Sequence, residues 1–227
     1  MKRTALLITG LAMATVSIAS ASTTIIGDSL LNGDFEVNTS WTTGFNVDEV
    51  AYATGSITGT NGDQTAVIGR QNNVTIRGVL QNTGYTVSSG DTFDLSFDWR
   101  TAANWTGSDS LNWRIFTTSD DTVNGTISLI AEDSFTGIDT TFKEYGLTNS
   151  IAGATDDGQQ LWVEIWATVD PGETAFSRLD NVNLSVIPEP GTYALIAGLL
   201  GLTSVCLLYT SDAADEGLGV DLGGRRI

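Results

Sequence analysis

Residues 91–100 alternate strictly, with Phe93, Leu95, Phe97 and Trp99 on one side and Asp94, Ser96, Asp98 and Arg100 on the other. Residues 161–169 repeat the pattern: Leu161, Val163, Ile165, Ala167 and Val169 oppose Trp162, Glu164, Trp166 and Thr168. The run Leu111, Asn112, Trp113, Arg114, Ile115 does so again. Successive side chains of a strand point to opposite faces, so a period of two predicts half-buried antiparallel strands. Further candidate strands lie at 65–68, 74–80, 127–131, 142–147 and 180–186. Gly, Asn, Asp, Ser and Thr fill the gaps, and no stretch sustains a helical period. About eight short strands predict an all-β fold, an antiparallel two-sheet β-sandwich or jelly roll, over residues 22–187.

The ends of the chain follow other patterns. Lys2 and Arg3 precede an apolar stretch, 5–18, and then the small-residue exit Ala19, Ser20, Ala21. A basic start, a short apolar core and small residues at the exit predict a secretory signal peptide over 1–21. At about 14 residues the stretch is shorter than the roughly 20 that span a bilayer. Near the other end, Pro188, Glu189 and Pro190 break any regular element,. The run that follows, 193–209, is mostly Ala, Leu, Ile and Gly, and is predicted to form an apolar helix at the lower length limit for a membrane span,.

Charge narrows the function classes. The formal net charge is -17, and residues 22–187 hold 22 acidic but only 6 basic side chains. A domain this acidic repels phosphate backbones, so nucleic acid is not an expected partner. Solubility outside the cell and binding of a hard cation both fit the excess of carboxylates. There is no histidine, which removes Ser-His-Asp and Cys-His catalysis and histidine zinc sites,. The one cysteine, Cys206, allows no intrachain disulfide.

Pro188, Glu189, Pro190, Gly191, Thr192, Tyr193, Ala194 and Leu195, with the Gly- and Leu-rich run behind them, resemble the PEP-CTERM sorting signal over 188–205. The resemblance implies recognition near Pro188-Glu189-Pro190 by an exosortase-type peptidase. It further implies a transient inner-membrane anchor through the C-terminal helix, and a place on the surface or in the extracellular matrix of a Gram-negative bacterium. Family members end in a basic cluster directly after the apolar run. Here the chain instead continues through Cys206 to Ile227 in segments that resemble translated sequencing adapter, so 206–227 are not expected to be native protein.

A second resemblance lies in the ectodomain. Leu31, Asn32, Gly33, Asp34, Phe35 and Glu36, with Trp41 soon after, open it; Arg178, Leu179, Asp180, Asn181, Val182, Asn183 and Leu184 close it. The pair resembles carbohydrate-binding modules with the galactose-binding-like jelly-roll fold. That implies first and last strands lying side by side, and a structural Ca2+ held by Glu36 and Asp180. The alternative is that these two carboxylates only cap strand ends. No EF-hand fits: Ala131 stands where the loop begun by Asp120 requires glutamate,.

Trp162 and Trp166 fall on the polar face of their strand with Glu164 between them, and Asn112 and Arg114 fall on the non-core face of theirs. Flat rings stack on sugar faces while carboxylates and amides bond hydroxyls. These five residues are therefore the candidate binding surface, with extracellular polysaccharide as the ligand. The alternative is that loops cover the face and make a second core of its rings. Trp105, in a polar loop, is a weaker candidate. The expected function is a non-catalytic, polysaccharide-binding surface protein. A structural or adhesive module without a defined glycan is the alternative, and a two-carboxylate glycosidase is a third reading that no pair of residues singles out.

Overall fold

The alternation in 91–100 becomes a strand that buries Phe93, Leu95, Phe97 and Trp99, each at most 1% exposed, and leaves Asp94, Ser96, Asp98 and Arg100 on the outside. The computed structural model describes residues 21–54, 57–72, 74–188, 198–199 and 201–203. Residues 21–189 make one compact unit. Its strands are β1 (Thr23–Ile26), β2 (Tyr52–Thr54), β3 (Gln64–Gln71), β4 (Thr75–Thr86), β5 (Thr92–Thr101), β6 (Ser110–Thr118), β7 (Ile127–Thr136), β8 (Lys143–Ile151), β9 (Gln160–Thr168) and β10 (Ala175–Ile187). All their pairings are antiparallel.

Hydrogen bonds connect the strands in the order β7-β6-β9-β4-β3-β10-β5-β8, with β1 on β10 and β2 on β3. β4 turns the corner between two layers: Thr75 to Arg77 pair with β3, and from Gly78 onward the strand pairs with β9. The layers face each other across one core, where Phe97 meets Trp113 edge-on at 5.3 Å and Trp99 meets Trp105 at 5.2 Å. Each fully buried large apolar side chain here contributes about 1.5–3 kcal/mol. Trp105 thus belongs to the core; it is 7% exposed and its indole N–H donates to Gly137 O at 3.0 Å.

The first and last strands lie side by side, with Thr23 opposite Val186. The opening motif is built into this junction. Val182 N donates to Gly33 O at 2.8 Å, and a Cβ at Gly33 would sit 2.3 Å from Val182 O, so no other residue fits there,. Asn32 is 2% exposed; its amide donates to Val37 O and Thr39 O and its carbonyl accepts from Val37 N. Trp41 Nε1 donates to Asn32 O at 2.9 Å. The motif is therefore a folded knot that closes one end of the sandwich.

Residues 1–20, Glu189, Pro190 and 206–227 lie outside the described residues, as does most of the expected apolar helix; Pro188 directly follows β10. Within that stretch 198–199 and 201–203 are helical. Among the described residues no helix is long and apolar enough to cross a membrane.

Candidate functional site

The outer face of β6 and β9 is a grid of cross-strand pairs. Asn112 stands opposite Trp166, Arg114 opposite Glu164, and Phe116 opposite Trp162. On the flanking strands Ser134 and Glu132 continue the first two rows, and Gly78, Leu80 and Asn82 face Trp166, Glu164 and Trp162. The five predicted surface residues therefore share one face. A loop then divides them.

Residues 41–50 cross this face, tied by Thr42 N to Leu80 O at 2.8 Å and by Asp48 N to Ile76 O at 2.9 Å. Phe45 and Val47 from that loop pack with Leu80, Phe116 and Trp162 into a second apolar cluster. Trp162 is 5% exposed, with Phe45 edge-on at 6.2 Å and Phe116 stacked at 6.3 Å. It takes the core alternative, and its ring presents no open face.

Glu164 is also sealed. It is 0% exposed and ion-paired with Arg114, whose Nη2 lies 2.5 Å and Nε 2.7 Å from Oε2. Asn46 N donates to Oε1 at 2.7 Å. Burial raises the Glu164 pKa, and the Arg114 charge and the Asn46 and Arg114 hydrogen bonds oppose that rise,. Arg114 sits over three rings, at 4.6 Å from Phe116, 5.2 Å from Trp166 and 5.6 Å from Phe45. Arg114 and Glu164 thus hold the loop and the rings in place.

Trp166 stays partly exposed at the open end of the grid. It borders two depressions. One, of about 370 Å³, is lined by Asn112, Glu132, Asp133 and Ser134; the other, of about 200 Å³, by Asn46, Arg70, Ile76 and Thr168. Gly78 keeps the ring seated, because a Cβ there would meet Val47 Cγ2 at 2.8 Å and Trp166 Cβ at 3.2 Å. Asn112 Nδ2 donates to Thr168 Oγ1 at 3.1 Å, bridging the rims. The geometry offers one aromatic plane between a polar hollow and a mixed one, in which Ile76, Ala167 and Val169 join Asn46, Arg70 and Thr168. Glu132, Asp133, Ser134, Asn46 and Arg70 carry no periodic signal that sequence reasoning could use; only the fold brings them to Trp166.

The proposed cation ligands lie elsewhere, beside the β1–β10 junction. Asp180 shares the outer face of β10 with Arg178, and directly after it Asn181 adopts a left-handed φ of 52° at a bulge between Asp180 and Asn183,. Loop 59–64 covers Asp180: Asn61 N donates to Oδ2 at 2.8 Å, and Thr60 Oγ1, whose shorter contact is to Asp98, lies 3.2 Å from the same oxygen. Oδ1 is buried and has no hydrogen-bond partner among the described residues. Burial raises the Asp180 pKa, against hydrogen bonds from Asn61, Asn181 and Thr60. The same loop reaches Glu36, which is exposed and accepts from Gln64 N at 2.8 Å. A buried carboxylate oxygen without a donor fits a hard cation that takes oxygen ligands.

A third group was not anticipated. Asp109, Asp170 and Glu173 bring carboxylate oxygens within 4.8 Å of one another. Asp109 is buried, accepting from Thr106 N at 2.7 Å, and Ser108 Oγ donates to Asp170 at 2.8 Å. These bonds fasten two neighbouring loops together.

The described strands define a jelly-roll-like antiparallel β-sandwich with an outer-face groove. No protein-family model matches the chain, and no curated protein sequence is similar to it. Among solved structures, the N-terminal CBM22-1–CBM22-2 tandem domain of Paenibacillus barcinonensis Xyn10C aligns at 16% identity and TM-score 0.51, over 77% of this chain and 49% of that one. The single CBM22-1 xylan-binding domain of the same protein aligns at 16% identity and TM-score 0.48, over 75% and 98%. A Stig cyclase from Fischerella sp. TAU aligns at 16% identity and TM-score 0.49, over 74% and 99%. At such identities the likeness concerns the fold alone.

Proposed function

We propose that the sandwich is a non-catalytic module that binds polysaccharide in the groove at Trp166, on a galactose-binding-like scaffold. The observation that carries this reading is the partly exposed indole between a polar hollow and a mixed one, with Asn112, Ser134 and Thr168 as partners for sugar hydroxyls,. The carboxylate nearest the ring on its own strand, Glu164, is sealed by Arg114 and Asn46, so it cannot reach a glycosidic oxygen,. The protein is exported and sorted to the cell surface through Pro188-Glu189-Pro190 by an exosortase-type peptidase.

The test is calorimetric titration of the full-length chain with neutral xylo- and gluco-oligosaccharides. Trp166→Ala should weaken binding at least tenfold. Equal affinity in the variant and the parent protein would end the reading. It would favour the structural or adhesive alternative, which the burial of Trp162 already supports.

Ca2+ in this reading is structural, held by Glu36 and Asp180. Saturation a hundredfold above Kd would stabilise the fold by about 2.7 kcal/mol. Thermal unfolding should shift upward with Ca2+ over chelator, and Asp180→Asn should abolish the shift. An identical shift in that variant would place any ion elsewhere.

A further inference from the structure

The opposite layer carries a second charged grid. On the outer face of β10 and β5, Arg178 stands directly opposite Arg100, with Val67 of β3 on the other side of Arg178. Directly opposed residues have Cβ atoms about 4.5–5.5 Å apart, and like charges there are destabilising. Neither arginine has a carboxylate partner among the described residues. Arg178 Nη1 donates only to its neighbour's backbone, Ser177 O, at 3.1 Å, and Arg100 Nε donates to Thr101 O at 3.3 Å. These two arginines are a third of the basic side chains of a domain with 22 carboxylates, yet among the described residues no carboxylate is ion-paired with either.

The next row of the grid holds Asp180 and Asp98, also paired across the strands. One oxygen of each, Oδ2, is taken up by the covering loop and the bulge. Thr60 Oγ1 donates to Asp98 at 2.5 Å, Asn181 Nδ2 donates to Asp98 at 3.2 Å, and Asn61 N donates to Asp180. On the far side Arg77 joins the arginines, its own charge met by Glu49 at 3.0 Å. Burial, with the charges of Arg77 and Arg100, lowers the Arg178 pKa,. One aromatic ring meets the pair and another lies two residues before Arg178 on β10: Arg100 lies over Phe142 at 5.8 Å, and Arg77 over Phe176 at 5.5 Å.

We propose that Arg100 and Arg178 form an oxyanion site that takes the carboxylate of a single uronate unit borne by an otherwise neutral polysaccharide, whose sparse charge the acidic domain does not repel as it would a polyanion, with Phe176 and Phe142 against the sugar. Guanidinium forks match planar oxyanions with paired hydrogen bonds. An oxyanion between the two arginines removes their mutual repulsion, and the neighbouring rings offer apolar surface to a pyranose face. This site lies on the other layer from Trp166 and does not depend on that groove.

The test titrates the full-length chain at 0.1–0.15 M salt (roughly one Debye length of 8–10 Å) with a trisaccharide bearing a single uronate unit, a neutral trisaccharide and sodium sulfate. The uronate-bearing trisaccharide should bind, Arg100→Gln/Arg178→Gln should weaken it at least tenfold, and Trp166→Ala should leave it unchanged. Arginine Nε–Hε resonances of the parent protein give a second reading that needs no variant: those of Arg100 and Arg178 should move with the uronate-bearing trisaccharide. No binding, equal binding by the double variant, or unmoved resonances would overturn the proposal. Sulfate binding as tightly as the uronate-bearing trisaccharide would overturn its polysaccharide part and leave a site for a free oxyanion. Loss in Trp166→Ala with the double variant unaffected would move acidic sugars to the first groove.

Discussion

Arg114 and Arg178 hold matching positions on the two layers, each on an outer face and each opposite a charged residue, yet their surroundings differ in kind. Arg114 faces Glu164, lies among three rings and is roofed by residues 41–50. Arg178 faces Arg100, and among the described residues its guanidinium bonds only the neighbouring Ser177 O. An arginine whose charge is met and whose ring contacts are complete serves the fold. One left beside another cation costs the fold something, and its donors remain for a partner. The contrast separates an arginine closed in by a loop of its own chain from one whose row the covering loop 59–64 leaves without a counter-charge.

The sharpest way to break the comparison is at Arg114. Arg114→Ala would leave Glu164 buried without a counter-charge, which costs about 3–5 kcal/mol; denaturant unfolding measures it, and Arg178→Gln should cost nothing or stabilise. Next comes the tryptophan pair. Trp162→Ala empties the cluster under the loop and should cost about 3 kcal/mol or more, whereas Trp166→Ala, partly exposed already, should cost about 1 kcal/mol by the same measurement. Equal losses would mean the loop does not close the face in solution. The smallest effect concerns the lone lysine of the sandwich, Lys143, which has its own carboxylate. Hydrogen bonds from Lys143 and Tyr145 hold the Asp139 pKa below its ordinary 3.8. That contribution is complete above pH 3.8 and lost as pH falls through the depressed value. Asp139→Asn should flatten acid unfolding there by less than about 1 kcal/mol, since Lys143 is mostly exposed,.

The strands were legible where alternation is long. β5 and β9 match their predicted runs closely, because each buries one face against the core. β1 and β2, at 4 and 3 residues, are too short to alternate and went unseen. The candidate face was read correctly as a shared face, since register follows from parity. Its division was not legible: Trp162 and Trp166 are equivalent by parity, and what separates them is a loop more than a hundred residues earlier in the chain. Its only sequence trace is the spacing of Phe45, Val47 and Val50 in a polar stretch. The bulge at Asn181 was likewise invisible, because it depends on a left-handed residue that asparagine tolerates without announcing,.

The placement of β10 has a mechanical consequence. The strand ends at Ile187, and its pairing with β5 runs from Ser177 to that last residue while β1 and β3 flank its other edge. Antiparallel hydrogen bonds lie perpendicular to the strands. Tension applied along the strand through the residues after Ile187 therefore loads many of these bonds at once, in shear, where they resist together. Tension applied across the strand would peel them one at a time. The sandwich is thus strongest against a pull in line with β10.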